Sequence, residues 1–401
     1  MLSESTIQII KAITPAVAEN AVKITTCFYG RMFEGNPEVK AFFNAAHQES
    51  GKQPLALAQA VGAYFSNIDR LEVLGPAVEL IAQKHCALGI LPEHYPIVGR
   101  HLLDAIGEVM GDAVTDEVVA AVGEAYGLLA DICIERERQI YAEQKAAAGG
   151  WNGYRPFSVD RKEVESDEVT SFYLKPTDGQ QIPDFLPGQY LTVKFDLSDA
   201  PTAPRNYSLS HRPGQDFYRI SVKREPARND SAPGGLVSNH LHNSVNVGDV
   251  VNVGPPCGEF TLQVDSAENA PVVFLAGGIG VTPLLSMIQA HTNSGATAPI
   301  TLIHASRSEN VQAFKGEVEK LQADHPNLQT YFLYEDSDSG AGRGRLTKEQ
   351  LADWTDAVNS SFYCCGPPAF LNHVTVLMND LQVAPDRQHM EFFGPKQPLN
   401  G

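Results

Sequence analysis

The 401-residue sequence has little cysteine and comparatively little positive charge. Its six cysteines, at positions 27, 86, 133, 257, 364 and 365, form no Cys-x-x-Cys pair and no regular ladder. That excludes a cysteine-ligated zinc or iron–sulfur centre, and a secreted disulfide scaffold as well. Lys and Arg number 30 against 48 Asp and Glu, a formal net charge of -18. No Lys/Arg-rich tract offers a phosphate-binding surface, so no nucleic acid partner is expected. Long apolar runs are also missing. The stretch 270–290 carries no charge, but Gly277, Gly278, Gly280 and Pro283 interrupt it. It reads as a strand, a glycine turn and a helix start, not as a bilayer span of ~20 residues. The opening MLSESTIQIIKAITP has no basic segment followed by an apolar one. No signal peptide, no transmembrane segment and a cytoplasmic location are therefore expected.

What is present is a globular composition, 43% hydrophobic and 19% charged, at a length that suggests two or three domains. Residues 1–147 read as helices divided by glycine and proline joints. The clearest helix follows Thr115, with Asp116 and Glu117 in its first turn and Val118, Val122, Ala125, Leu129, Ile132 and Arg136 at three- and four-residue steps. After Gly149-Gly150 the runs VTSFYLKP, GQYLTVKF, NYSLSH and FYRISVKRE predict an antiparallel β-barrel or sandwich over 150–264. Over 265–401, apolar runs alternate with helical segments, which predicts a parallel α/β layer. No internal repeat is apparent. The fold class is multidomain, α plus β plus α/β.

Several short stretches carry chemistry. In IAQKHCALGI, His85 is either a core histidine or a metal or haem ligand, and the stretch alone does not decide. AGGIGVTPLLSM puts glycines at a strand end before a helix, where N–H donors can meet a pyrophosphate. YCCGPPAF is a second such loop, with Cys365 at its mouth, and two strand-end loops facing one crevice suit a dinucleotide. In PRNYSLSH, Arg205 can pair with a diphosphate, Tyr207 can lie against a flat ring, and Ser208 can hydrogen-bond a ring nitrogen. GGLVSNHLH, with Ser238, suits the same diphosphate.

In combination and order these motifs resemble the ferredoxin–NADP reductase superfamily over residues 150–401. The carriers are Arg205, Asn206, Tyr207 and Ser208; Gly278, Ile279, Gly280, Val281, Thr282 and Pro283; Cys365, Gly366 and Pro367; and the terminal EFFGP. The first 147 residues are similar to the globin half of a flavohaemoglobin, so the resemblance spans the chain. It implies haem b on His85, FAD on the barrel, and NADH or NADPH as electron donor. It further implies roles for Tyr29, Phe43, Gln53 and Leu57 around the ligand pocket, and for Tyr95 and Glu135 beside His85. Lys84, Tyr190 and Glu391 are expected between haem and flavin, and Ser238, Phe392, Phe393, Gly394 and Pro395 near the flavin. The implied activity is nitric oxide dioxygenation, with NO, O₂ and NAD(P)H as small-molecule partners and a monomeric chain. A haem-based O₂ sensor and a general NAD(P)H-dependent flavin reductase are the competing readings. The choice of nucleotide stays open, although Arg307 and Ser308 are placed to meet a 2′-phosphate.

Overall fold

The computed structural model describes residues 2–43, 51–197, 202–227, 234–263, 270–336 and 342–394. The chain divides into two compact units. The first comprises residues 1–146 with 151–153 and 194–204, and the second comprises the remainder. The expected junction at 264–265 abuts residues 264–269, which lie outside the described ones.

The first unit is helical, as its apolar periodicity predicts. Its helices are α1 (Glu4–Gly35), α2 (Lys52–Ser66), α3 (Gly75–Leu88), α4 (Tyr95–Met110) and α5 (Asp116–Ala146). Ser3 caps α1 by accepting from the Thr6 N–H at 3.0 Å, which satisfies one of the orphan donors of a helix start. Helix α3 ends at Gly89 with φ 78, a left-handed cap that glycine adopts without a Cβ penalty. That stop leaves His85 in the last turn of α3. Ile10, Val17, Ile24, Phe28 and Met32 of α1 bury one stripe against Tyr64, Phe65, Leu102, Ile106 and Val122, the helical counterpart of a core.

The second unit contains two six-stranded sheets. The first has the order β4-β3-β6-β1-β2-β5, with β1 (Arg155–Val164), β2 (Val169–Pro176), β3 (Tyr190–Lys194), β4 (Arg205–Ser208), β5 (Tyr218–Lys223) and β6 (Val250–Val253). Its strand pairs are antiparallel, and a bridge from Leu209 to Ile220 joins the two end strands. The sheet thereby closes into a barrel and leaves fewer unpaired edges. A short helix, α6 (Leu236–Asn243), follows β5.

The second sheet is parallel, in the order β10-β9-β8-β7-β11-β12. Its strands are β7 (Val272–Gly277), β8 (Ile300–Ser306), β9 (Leu328–Tyr334), β10 (Gly342–Arg343), β11 (Ser361–Cys365) and β12 (Gln388–Glu391). The helices are α7 (Val281–Asn293), α8 (Lys315–Asp324), α9 (Lys348–Trp354) and α10 (Pro368–Asp380). Val272 and Phe274 enter one apolar core, and Val273 and Leu275 enter another on the opposite face. That two-sided burial explains why β7 reads as a continuous apolar run without alternation. The order reverses between β7 and β11, which makes their carboxyl ends the ligand crevice of this architecture.

Candidate functional site

The first unit gathers its chemistry where α3, α4 and α5 meet. His85 Nδ1 lies 2.7 Å from Glu137 Oε1 and 3.1 Å from the Tyr95 hydroxyl. Tyr95 donates its own proton to the same Glu137 oxygen at 2.5 Å. Nδ1 donates to the carboxylate oxygen facing it, which leaves Nε2 as the ring nitrogen open to a metal. Among the described residues Nε2 makes no hydrogen bond, and 34% of the side chain is exposed. A histidine oriented in this way fits a haem iron. Burial, and after it the bond to Glu137, pushes the Tyr95 hydroxyl pKa upward, so the phenol stays protonated. Burial likewise raises the Cys133 thiol to about 11, with Glu137 adding to the effect.

This geometry corrects the expectation for Glu135. That carboxylate is exposed and pairs with Arg138 at 2.7 and 2.9 Å, and it also accepts from Gln139. Residues two apart on a helix point about 200° apart, so only one of Glu135 and Glu137 can face inward. The buried stripe of α5 runs through Val118, Val122, Ala125, Cys133, Glu137 and Ile140, and Glu137 is the one inside, 2% exposed. Tyr126 and Gly99 were not singled out from the sequence. The Tyr126 hydroxyl donates to the Tyr95 carbonyl at 2.7 Å. A Cβ on Gly99 would come within 2.5 Å of the Tyr126 ring, so glycine is what lets that ring approach α4.

The other expected residues of this unit are placed as follows. Tyr29 is 6% exposed, and its ring lies 5.6 Å from that of Phe43 and 5.7 Å from that of Phe33. Phe43 and Leu57 pack against the apolar cluster that contains Tyr29. Gln53 stands one turn before Leu57 on α2, and Lys84 precedes His85 on α3; both are half-buried.

In the barrel, β3 and β4 are paired so that Tyr190 faces Ser208, Leu191 faces Tyr207, Thr192 faces Asn206 and Val193 faces Arg205. Tyr190, Asn206 and Ser208 therefore share one face, and Arg205 and Tyr207 the other. Thr192 donates to the Asn206 side-chain oxygen at 2.9 Å. Burial lowers the Arg205 pKa and raises that of Tyr207, so the pair offers a desolvated cation beside a protonated phenol. That donor set fits the diphosphate and ring of a flavin nucleotide. Ser238, on α6, is buried and donates to the Gly235 carbonyl at 3.1 Å.

In the parallel layer, Gly278–Gly280 form a single tight turn and α7 starts at Val281. Gly278 has φ 54, in the left-handed region, and the Thr282 hydroxyl donates to the Ile279 carbonyl at 2.9 Å. A Cβ on Gly280 would lie 2.1 Å from the Cys365 carbonyl oxygen, so this loop and Cys365-Gly366-Pro367 touch through their backbones. The two strand-end loops thus line one crevice, with the start of α7 directed at it, as a pyrophosphate requires. His304, which the sequence reading passed over, donates from Nε2 to the Gly278 carbonyl at 2.9 Å. Complete burial holds its pKa down at about 4, so it is a neutral brace.

The Cys365 thiol is fully buried, and burial followed by the neighbouring Glu391 raises its pKa well above the usual value. It is an S–H group and not a thiolate nucleophile. Cys365 and Glu391 are register partners on β11 and β12. Phe392 is 8% exposed and packs in the apolar core with Leu275, Phe362 and Leu371. It is therefore not a face offered to a cofactor, and that expectation is corrected. Phe393 is 51% exposed and remains available, with Gly394 beside it; Pro395 lies outside the described residues. Arg307 is ion-paired with Glu168.

Comparisons with known proteins agree with this layout. Family models match in chain order: Globin over residues 26–133, Oxidoreductase FAD-binding domain over 156–262, and Oxidoreductase NAD-binding domain over 274–375. A flavohemoprotein of Rhodopirellula baltica is 54% identical and covers 100% of this chain and 99% of its own. One from Oceanobacillus iheyensis is 41% identical, covering 100% of this chain and 98% of its own. The crystal structure of a flavohemoglobin from Malassezia yamatoensis, with bound FAD and heme, matches with a TM-score of 0.87 at 26% identity, over 98% of this chain and 100% of that one. The FAD/NAD binding domain of a nitric oxide dioxygenase from Vibrio cholerae matches 60% of this chain and 99% of its own at 35% identity and a TM-score of 0.56. By sequence along its whole length and by fold, this chain belongs to the flavohemoprotein family.

Proposed function

We propose that the chain is an NAD(P)H-dependent nitric oxide dioxygenase that converts NO and O₂ to nitrate. Haem b on His85, FAD on the barrel and NADH or NADPH on the parallel layer would be its cofactors and donor. The functional parts are residues 1–147, 150–264 and 265–401. Bound haem would supply O₂ binding and its reaction with NO, and FAD the division of a hydride into single electrons. The chain's own residues do the rest. Glu137 holds the Nδ1 proton of His85 and gives the imidazole anionic character, which favours activation of O₂ over storage. Tyr95 fixes the carboxylate from the other side. Tyr29 supplies a phenol among the rings of Phe33 and Phe43, where water is scarce. Arg205, Tyr207 and Ser208 bind and orient the flavin, and the Gly278–Gly280 turn and α7 bind the nicotinamide nucleotide. Tyr190, Lys84 and Glu391 are proposed to influence electron passage.

The carrying observation is the short His85–Glu137–Tyr95 network, an arrangement made for a reactive iron site and not for a plain flavin reductase. The Vibrio cholerae neighbour, a domain of a nitric oxide dioxygenase, supports the same reading. A monomeric, cytoplasmic chain belongs to it too, and among the described residues no helix is long and apolar enough to cross a membrane. The test is nitrate formed per NAD(P)H consumed when NO is pulsed into the aerobic, haem- and FAD-loaded protein. About two nitrates per NAD(P)H, with turnover collapsing in His85→Ala, supports the proposal. NAD(P)H oxidation without matching nitrate, unchanged in His85→Ala, refutes it in favour of a general flavin reductase.

A further inference from the structure

Within the second unit, the barrel meets the parallel layer through a buried polar cluster. Arg219, on β5, has a side chain 3% exposed, and its guanidinium reaches both oxygens of Glu317 on α8, at 2.9 and 3.2 Å. It also donates to the Ser210 hydroxyl at 3.1 Å and to the Ser210 carbonyl, and reaches the Tyr173 hydroxyl at 3.4 Å. The same cation stands 4.9 Å over the Phe314 ring. Phe314, at the start of α8, has φ 65, a left-handed conformation that a bulky side chain adopts only when its surroundings hold it.

Glu317 is shared. Gln289 of α7 donates to it at 2.5 Å, and the Gln289 oxygen accepts from the Arg212 N–H at 2.9 Å. One turn earlier on α7, Ser286 donates to the His211 carbonyl at 2.7 Å. Helix α7 is the one that begins at the glycine turn of the dinucleotide crevice. His211 and Arg212 lie in the loop that follows the strand carrying Arg205, Tyr207 and Ser208. The cluster therefore ties the nucleotide helix to the flavin strand, with Arg219 and Glu317 as its charged centre.

Stability alone is a weak reason for such a pair, because the desolvation of Arg219 offsets much of its attraction to Glu317, which is itself 29% exposed. What a bidentate, fully partnered pair does provide is a single register between two surfaces that apolar packing would let slide. We infer that Arg219 and Glu317, with Gln289, are positioning residues for hydride transfer: they form a latch that sets where the nicotinamide-binding helix stands relative to the flavin-binding strand. The inference rests on the reading of this unit as one that passes a hydride from NAD(P)H to FAD.

The test uses the full-length, FAD-loaded protein and stopped-flow bleaching of the flavin by NADH or NADPH, whichever is faster. Glu317→Gln keeps shape and removes charge, and Gln289→Leu leaves the ion pair intact while removing its link to α7. Misplacement on the ångström scale costs up to about a hundredfold in rate. The expected result is a fall of roughly tenfold or more in the saturating bleaching rate for Glu317→Gln and a smaller fall for Gln289→Leu. FAD content is expected to hold, the nucleotide dissociation constant to move less than about twofold, and the isotope effect with 4-deuterated nucleotide to grow. Full-rate bleaching in both variants, or a loss explained by FAD release or weaker nucleotide binding, overturns the latch alone. No bleaching in the unmodified protein overturns the hydride-transfer reading and the latch together.

Discussion

Replacing Glu137 by glutamine keeps the side-chain shape and removes the charge from one oxygen that serves two partners, at 2.7 Å from His85 and 2.5 Å from Tyr95. A charge-assisted hydrogen bond contributes about 1.5–3 kcal/mol against about 0.5–1.5 kcal/mol for a neutral one. About 1 kcal/mol is therefore lost at each partner and about 2 kcal/mol in total. At 1.4 kcal/mol per factor of ten, this amounts to roughly thirtyfold, inside the 10–100-fold range typical of groups that orient a metal-bound histidine. NO-dependent nitrate turnover of the haem-loaded Glu137→Gln protein should fall by about that factor. Its ferrous iron–histidine stretching frequency should also drop, because the imidazole has lost its anionic character. Glu135→Gln serves as the control and should change neither quantity, since Glu135 binds only surface partners. Wild-type turnover and an unmoved stretch in Glu137→Gln, or damage from Glu135→Gln instead, would refute the reasoning.

Three further outcomes are expected. Gly99→Ala drives a Cβ into the Tyr126 ring and should lower stability by about 1–3 kcal/mol, as overpacking does, read by thermal unfolding. His304 is held neutral by burial, with its pKa down at about 4. The folded protein thus binds fewer protons than the unfolded chain between about pH 6.5 and 4. The stability it contributes is present above pH 6.5 and is lost as pH falls through that window, by roughly 3 kcal/mol. Urea unfolding at pH 7 and pH 4.5 should show a shallower loss in His304→Gln, and an unchanged loss would exclude His304 as its source. Arg205→Ala removes the half-buried cation beside Tyr207 and should weaken FAD binding about 10–100-fold, as loss of a charge-assisted contact of about 1.5–3 kcal/mol implies, measured by flavin fluorescence titration.

Much of this organisation can be read from local pattern. VTSFYLKP is β2 residue for residue, and FYRISVKRE contains β5, because each is a short run rich in aromatic and β-branched residues set between turn residues; both strands are buried along nearly their whole length. Strand β1 was not legible: Arg155–Val164 carries charge on most of its exposed side and is bulged at Val159/Arg161. Strand β6, only four residues long, offers too short an alternation. At the site, the glycine loops followed from their motifs and His85 and Tyr95 from the family resemblance, but the choice between Glu135 and Glu137 did not. Both carboxylates stand in ERER, and a small angular drift along a 31-residue helix decides which of them faces in. The Phe392–Phe393 pair fails in the same way, since of two adjacent rings just after β12 only Phe392 enters the core. The Arg219–Glu317 pair was beyond sequence reasoning altogether, for its members lie 98 residues apart.

The reversal of strand order at β7 also governs the sequence of events as the chain is made. Strands β7, β8, β9 and β10 add outward one after another, so four of the six strands can assemble from near neighbours while synthesis proceeds. Strand β11 must then return past all of them to pair with β7, and β12 adds beyond it. Such a distant pairing forms late, because loop closure must precede any reward from contact. The crevice that would hold the nicotinamide nucleotide lies between β7 and β11, and so it comes into existence only once β11 has paired. A nascent chain halted before Ser361 can own four paired strands yet have no place for the nucleotide. A place for the nucleotide is thereby withheld until that one long-range pairing is made.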